Sequence, residues 1–109
     1  MLLIGLDLGS TYSKMALLRD GQVIREKELP TPKPLTAPPL YEIDAEKYFA
    51  QVLTLLEEFY DPQAEGILFS TQMHGYVLTD KQFQPVSPYV SWQDGMGAAA
   101  LGTIRSLLP

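Results

Sequence analysis

Two tight turns divide the first thirty residues into three strand-length segments, and no other feature limits the fold so closely. Leu2 to Leu8 is short and mostly apolar, the composition of a strand covered on both faces. Gly9-Ser10-Thr11 is a turn, and Thr11 to Leu18 reads as a second strand. Arg19-Asp20-Gly21 ends it with Asp-Gly, a strong hairpin dipeptide. Gln22 to Leu29 is the third strand. Two successive hairpins predict a three-strand antiparallel meander, so the sheet is mixed rather than purely parallel.

Pro30, Pro32, Pro34, Pro38 and Pro39 crowd the next segment. Proline fixes φ and removes a donor, so this is an extended surface connection. Asp44 to Tyr60 is the clearest helix, with Asp44 suited to its N-cap and Asp61-Pro62 ending it. Ala45, Tyr48, Phe49, Val52, Leu53, Leu56 and Phe59 recur at spacings of three and four and predict a core-facing stripe. Further short strands are expected at Gly66 to Ser70, Gly75 to Thr79 and Pro88 to Trp92, with a turn around Asp80 to Gln84. A final Ala- and Leu-rich helix is expected from Gly95 to Leu108, weakened by its glycines. The fold class is α/β with an α+β-like mixed sheet.

The chain has 109 residues, room for one small domain. Its net charge of −5 argues against general nucleic-acid binding, which needs cations to replace phosphate counterions. With no Cys, disulfides, thiolate nucleophiles and cysteine-based zinc sites are excluded. With one His, so is a multi-histidine metal centre. No apolar run approaches the roughly 18 residues that span a membrane, and the apolar start lacks a basic leader. A cytoplasmic protein is the expectation.

Three segments can carry chemistry. The first is Asp7-Leu-Gly-Ser-Thr-Tyr-Ser-Lys14. Gly9 permits close backbone approach, and consecutive amides in such a turn can bind an anion. The hydroxyls of Ser10, Thr11 and Ser13 add donors, and Lys14 adds charge. Asp7, at a strand end, can hold Mg²⁺ through water. This is not a Walker A loop, whose glycine-rich turn opens a helix. Taken alone, a hairpin turn with an Asx-type bond is the commoner use of so short a motif.

The second is Ser70-Thr-Gln-Met-His-Gly75, polar residues following an apolar strand. Gln72 and His74 there can bond sugar hydroxyls, although a lone histidine is also a common structural residue. The third is Trp92-Gln-Asp94, where an indole face can cover sugar C–H groups and the polar side chains can read hydroxyls. A core Trp with turn-forming neighbours is the commoner use of such residues.

Together the three segments resemble the start of the FGGY family of carbohydrate kinases, in the actin-like ATPase, hexokinase and Hsp70 superfamily. The family opening is similar to I-G-I-D-L-G-T-[ST]-x-x-K, and here stands Ile4-Gly-Leu-Asp-Leu-Gly-Ser-Thr-Tyr-Ser-Lys14. The xylulokinase-like branch carries G-Q-M-H-G and a short strand ending in Leu-Asp. This chain has Thr71-Gln-Met-His-Gly75, then Tyr-Val-Leu-Thr-Asp80. The family next shows a pattern similar to P-x-[IL]-x-W-[NQ]-D-x-R, and this chain has Pro88-Tyr-Val-Ser-Trp-Gln-Asp94. Two departures stand out: Met96 replaces the arginine and Ser10 a threonine.

The resemblance implies a ribonuclease H-like, actin-like ATPase fold and a sugar kinase using ATP and Mg²⁺. Asp7 would lie near the Mg²⁺-ATP phosphates, with Gly9, Ser10, Thr11 and Lys14 forming the first phosphate loop. Gln72, Met73, His74, Trp92 and Asp94 would serve the sugar pocket. Met73-His74 is similar to the ketose-kinase branch, since glycerol kinases carry Arg-Glu there. Family members resemble chains several times longer, so residues 1–109 are expected to be the N-terminal portion of the first domain. The second domain and the general-base aspartate would lie downstream, and this portion alone would be inactive. A homodimer of the longer chain stays open. Such a portion should expose apolar surface. A non-enzymatic ATP-binding switch and a stand-alone interaction domain are the rival readings.

Overall fold

A computed structural model describes residues 1–109. It contains β1 (Leu2–Leu8), β2 (Tyr12–Arg19), β3 (Gln22–Pro30), β4 (Glu42–Ile43), α1 (Ala45–Phe59), β5 (Gly66–Thr71) and β6 (Tyr89–Val90). A 3₁₀ turn (Met96–Ala100) and α2 (Leu101–Leu107) follow. The chain divides into two compact units, Met1–Pro32 with Glu46–Met73, and Lys33–Ala45 with His74–Pro109. Each is described by itself.

The first unit is a mixed sheet of order β3-β2-β1-β5 with α1 packed on one face. β1 and β2 pair antiparallel, as do β2 and β3, whereas β5 runs parallel to β1. The second hairpin turns on Asp20 and Gly21, both left-handed at φ 50° and 81°, the geometry that matches strand twist in a two-residue loop.

Period-two alternation decides the buried face. Leu2, Ile4 and Leu6 of β1 are buried, as are Ser13 and Met15 of β2. Ile4, Leu6 and Met15 meet Val52, Leu55 and Phe59 of α1, with Leu8, Leu17, Leu29 and Leu56 around them. Each such side chain contributes about 1.5–3 kcal/mol on burial. The expected helical stripe is therefore partly corrected. Phe49 is 63% and Leu53 41% exposed, while Leu55, outside the expected stripe, is wholly buried. The helix meets the sheet along Val52, Leu55 and Phe59, so residues one position off that line turn to its flank.

No basic residue occupies the last turn of α1, and β3 supplies the charge instead. Arg25 donates to the Glu58 carbonyl at 3.0 Å, Lys27 pairs with the Glu58 carboxylate at 2.9 Å, and the Arg25 guanidinium lies 4.3 Å over the Phe59 ring. β5 is a sheet edge, and its Ile67, Leu68 and Phe69 are 43%, 56% and 65% exposed.

The second unit holds the two-stranded β4–β6 sheet, which pairs Glu42 with Val90 and Ile43 with Tyr89. Ile43 and Val90 are its buried apolar pair. The expected strand from Gly75 to Thr79 is reduced to single bridges, Tyr76 with Val90 and Thr79 with Pro85. The strand expected at Pro88 to Trp92 shrinks to Tyr89–Val90. Pro85 and Pro88 have no N–H to donate, which stops a continuous ladder. The expected helix from Gly95 is also corrected, because it opens as a 3₁₀ turn and becomes α-helical only at Leu101. Neither piece buries a residue, so packing does not override its glycines. No helix is long and apolar enough to cross a membrane.

Candidate functional site

The expected residues fall in both units. Asp7, Gly9, Ser10, Thr11, Lys14, Gln72 and Met73 belong to the first, and His74, Trp92 and Asp94 to the second.

In the first unit, parallel pairing of β1 with β5 brings two strand C-termini side by side. Asp7 stands opposite Lys14 on β2 and Ser70 on β5. These three residues form one cross-strand row on the face away from α1. The same face continues through Gly5, Ala16 and Leu68, which line a shallow depression with them. Asp7 and Lys14 are exposed, and the Lys14 ammonium stands 3.7 Å from the Glu28 carboxylate. Strand ends are where a sheet presents side chains to a ligand without losing ladder bonds.

Beside this row the Gly9–Thr11 turn closes with Gly9 N–H donating to the Tyr12 carbonyl at 2.9 Å. A Cβ on Gly9 would stand 2.9 Å from that carbonyl oxygen, so the turn requires glycine. Thr31 N–H donates to the Thr11 carbonyl at 2.9 Å. The Gly9 carbonyl accepts from Thr31 Oγ1 at 3.0 Å, Gln72 Nε2 at 3.3 Å and Tyr48 Oη at 3.4 Å. Gln72 N–H donates to the Leu8 carbonyl at 2.8 Å, extending the β5 register past Thr71. The Gln72 amide is thus spent on the turn, and its Oε1 is buried without a partner. Met73 is 67% exposed.

Ser13 corrects an expectation. Its place in the motif predicts a hydroxyl donor at the turn, yet it is fully buried on the α1 side of β2 and its Oγ has no partner. Alternation puts Ser13 with Met15 and sends Tyr12 and Lys14 the other way.

In the second unit His74 takes a left-handed φ of 66° and is exposed. Gly75 follows beneath the Tyr89 ring, leaving no room for a Cβ. Trp92 is 53% exposed. Asp94 is half-buried, and its carboxylate accepts from two backbone amides, Tyr41 at 2.7 Å and Met96 at 2.9 Å. Asp94 therefore organises the turn next to Trp92.

No group of three or more His, Asp or Glu side chains could hold a metal alone. One exposed carboxylate, Asp7, beside the Ser70 hydroxyl is the donor set that suits Mg²⁺ carried with phosphates. That ion keeps several waters and takes one or two carboxylates.

Sequence reasoning missed Ser70 as the neighbour of Asp7, and Thr31 and Tyr48 as supports of the turn. The parallel β1–β5 register that places Ser70 leaves no local signal. Thr31 sits among prolines, and the spacing of Tyr48 marks it only as part of the helix stripe.

The family model for the N-terminal domain of the FGGY family of carbohydrate kinases matches residues 2–107. Xylulose kinase of Staphylococcus xylosus is 28% identical over 96 residues, covering 84% of this chain and 20% of that protein. The chain thus spans about a fifth of that relative's length. Among solved structures, xylulose kinase from Rhodospirillum rubrum is similar with a TM-score of 0.87 at 23% identity, covering 99% of this chain and 24% of that one. Plasmodium falciparum glycerol kinase with ADP is similar with a TM-score of 0.85 at 14% identity, covering 99% and 23%. At such identities these likenesses establish the fold, and the family match establishes kinship: the chain belongs to the FGGY family of carbohydrate kinases.

Proposed function

We propose that this chain is the N-terminal portion of the first, actin-like domain of an ATP-dependent kinase that phosphorylates a sugar hydroxyl, with a ketose as substrate. The observation that carries this reading is the row Asp7, Lys14 and Ser70 at the strand ends, beside the glycine turn. Amides of the Gly9–Thr11 turn and the Lys14 ammonium would bind nucleotide phosphates. Asp7 would hold Mg²⁺ through water, and that ion would supply charge neutralisation between the phosphates. Met73, His74 and the exposed face of Trp92 would serve the sugar, with Asp94 holding the turn that presents Trp92. Met73-His74 in place of the glycerol-kinase Arg-Glu favours the ketose.

Phosphoryl transfer depends on positioning and charge stabilisation, and it needs a base for the hydroxyl proton. The first strands of one domain would supply half of that arrangement. The chain alone is therefore inactive, and the base and second domain belong to a longer protein. The exposed Ile67, Leu68 and Phe69 on edge strand β5 support this reading, because an unpartnered apolar edge fits a sheet that continues.

The test is a titration of the 109-residue chain with MgATP, followed at the Ser10, Thr11 and Lys14 amides, beside an ADP-release assay with a panel of ketoses and polyols. Saturable shifts with no sugar-dependent release are expected. Release by these residues alone overturns the inactivity, and the absence of shifts overturns the nucleotide site.

A further inference from the structure

The Gly9 carbonyl draws side chains from three separate parts of the first unit. Thr31 lies just past β3, Tyr48 on the first turn of α1, and Gln72 just past β5. Their donors stand 3.0, 3.4 and 3.3 Å from the one oxygen, and Gln72 Nε2 is also 3.4 Å from Tyr48 Oη. A carbonyl has two lone pairs, so three donors exceed what solvating it requires. The Gln72 amide also leaves its own Oε1 buried and unpartnered to point Nε2 at Gly9. A buried orphan acceptor is destabilising, and the native fold tolerates it here.

The peptide plane explains what this arrangement can do. The Gly9 carbonyl and the Ser10 N–H belong to one trans peptide unit and point in opposite directions. Fixing the carbonyl toward Thr31, Tyr48 and Gln72 fixes the Ser10 N–H away from them. We propose that Thr31, Tyr48 and Gln72 form a three-donor clamp that aims the Ser10 amide at nucleotide phosphate. Gln72 is then a positioning residue for the phosphate turn rather than a contact to the sugar. The phosphate half of this inference rests on the kinase reading above, whereas the clamp stands on the geometry alone.

The experiment uses the 109-residue chain with Gln72→Met, Tyr48→Phe, Thr31→Val and Thr31→Ser. Amide hydrogen exchange and the Ser10 and Thr11 amide resonances are recorded first without nucleotide and then with MgATP. Losing one neutral hydrogen bond at the turn is expected to weaken MgATP by about tenfold and to move the Ser10 resonance before nucleotide is added. Thr31→Ser, which keeps the hydroxyl, should stay within about twofold of the parent. Gln72→Met removes the orphan acceptor with the donor, so it should stay folded, and it carries the test if Thr31→Val unfolds. A folded Gln72→Met chain with unchanged Ser10 resonance and exchange overturns the clamp. A moved resonance in a chain whose parent shows no MgATP effect upholds the clamp and overturns its service to phosphate.

Discussion

The Asp94 carboxylate accepts the backbone N–H of Tyr41 at 2.7 Å, across 53 residues of sequence. Its second oxygen accepts Met96 N–H at 2.9 Å, and its own N–H donates to the Ser91 carbonyl at 2.9 Å. One side chain thereby pins the residue before β4 to the turn carrying Trp92. Asp94→Ala should destabilise this unit by about 2 kcal/mol, since bonds to a charged acceptor are worth more than neutral ones and two amides lose it together. Asp94→Asn keeps one acceptor oxygen and should cost about half as much. Amide exchange at Tyr41 and Met96 is the readout. Protection unchanged in Asp94→Ala would show that the carboxylate does not hold the turn.

The first three strands and the main helix were legible because each leaves a local mark. Asp20-Gly21 sets a two-residue turn, and α1 runs Ala45–Phe59 within one residue of its expected limits. The face of α1 was less legible. Phe49 and Leu53 are apolar and correctly spaced, yet only packing against Ile4, Leu6 and Met15 shows that Leu55 lies on the buried line. Residues 74–92 were least legible, because bridges such as Tyr76 with Val90 depend on partners far along the chain. At the candidate site the motif residues were readable. Their supports, Thr31, Tyr48 and Ser70, come from strand register and helix docking, which no short spacing encodes.

The first hairpin carries a pH signature. The Met1 amine donates to the Asp20 carboxylate at 2.7 Å. That bond and the attraction between the charges raise the amine above 8.0 and lower Asp20 below 3.8. Asp20's contribution is present above its unfolded pKa and is lost as pH falls through its depressed folded value. The amine's contribution is present below its unfolded pKa and is lost as pH rises through its raised folded value. Both groups are exposed, so the effect is small. Thermal melts should show a shallow stability plateau between the two limits, flattened by amine acetylation or Asp20→Asn. A pH profile identical in the acetylated chain would refute the pairing.

Ser13 predicts a gain from a deletion. Its Oγ is buried with no hydrogen-bond partner, on the face where Met15 packs against α1. An unsatisfied buried hydroxyl costs about 1–3 kcal/mol, while the cavity left by one oxygen is small. Ser13→Ala should therefore be neutral or stabilising by about 1 kcal/mol in denaturant unfolding. A loss of stability would mean that the hydroxyl has a partner in solution.

Gly75 follows the exposed, left-handed His74, and the Tyr89 ring lies where a Cβ would go. The overlap involves the phenol oxygen and two ring carbons together, so a methyl there cannot be accommodated by a rotation of the hydroxyl. Gly75→Ala should displace Tyr89, the β6 partner of Ile43, and cost about 1–3 kcal/mol as an overpacked contact does. Tyr89→Phe removes only the oxygen and should relieve little of that cost. Tyr89→Ala opens the space but loses the ring's own packing. The double variant Gly75→Ala with Tyr89→Ala should therefore be more stable than the sum of the two single losses predicts. A double-mutant cycle in denaturant reads this coupling directly, and strict additivity would place the Tyr89 ring elsewhere.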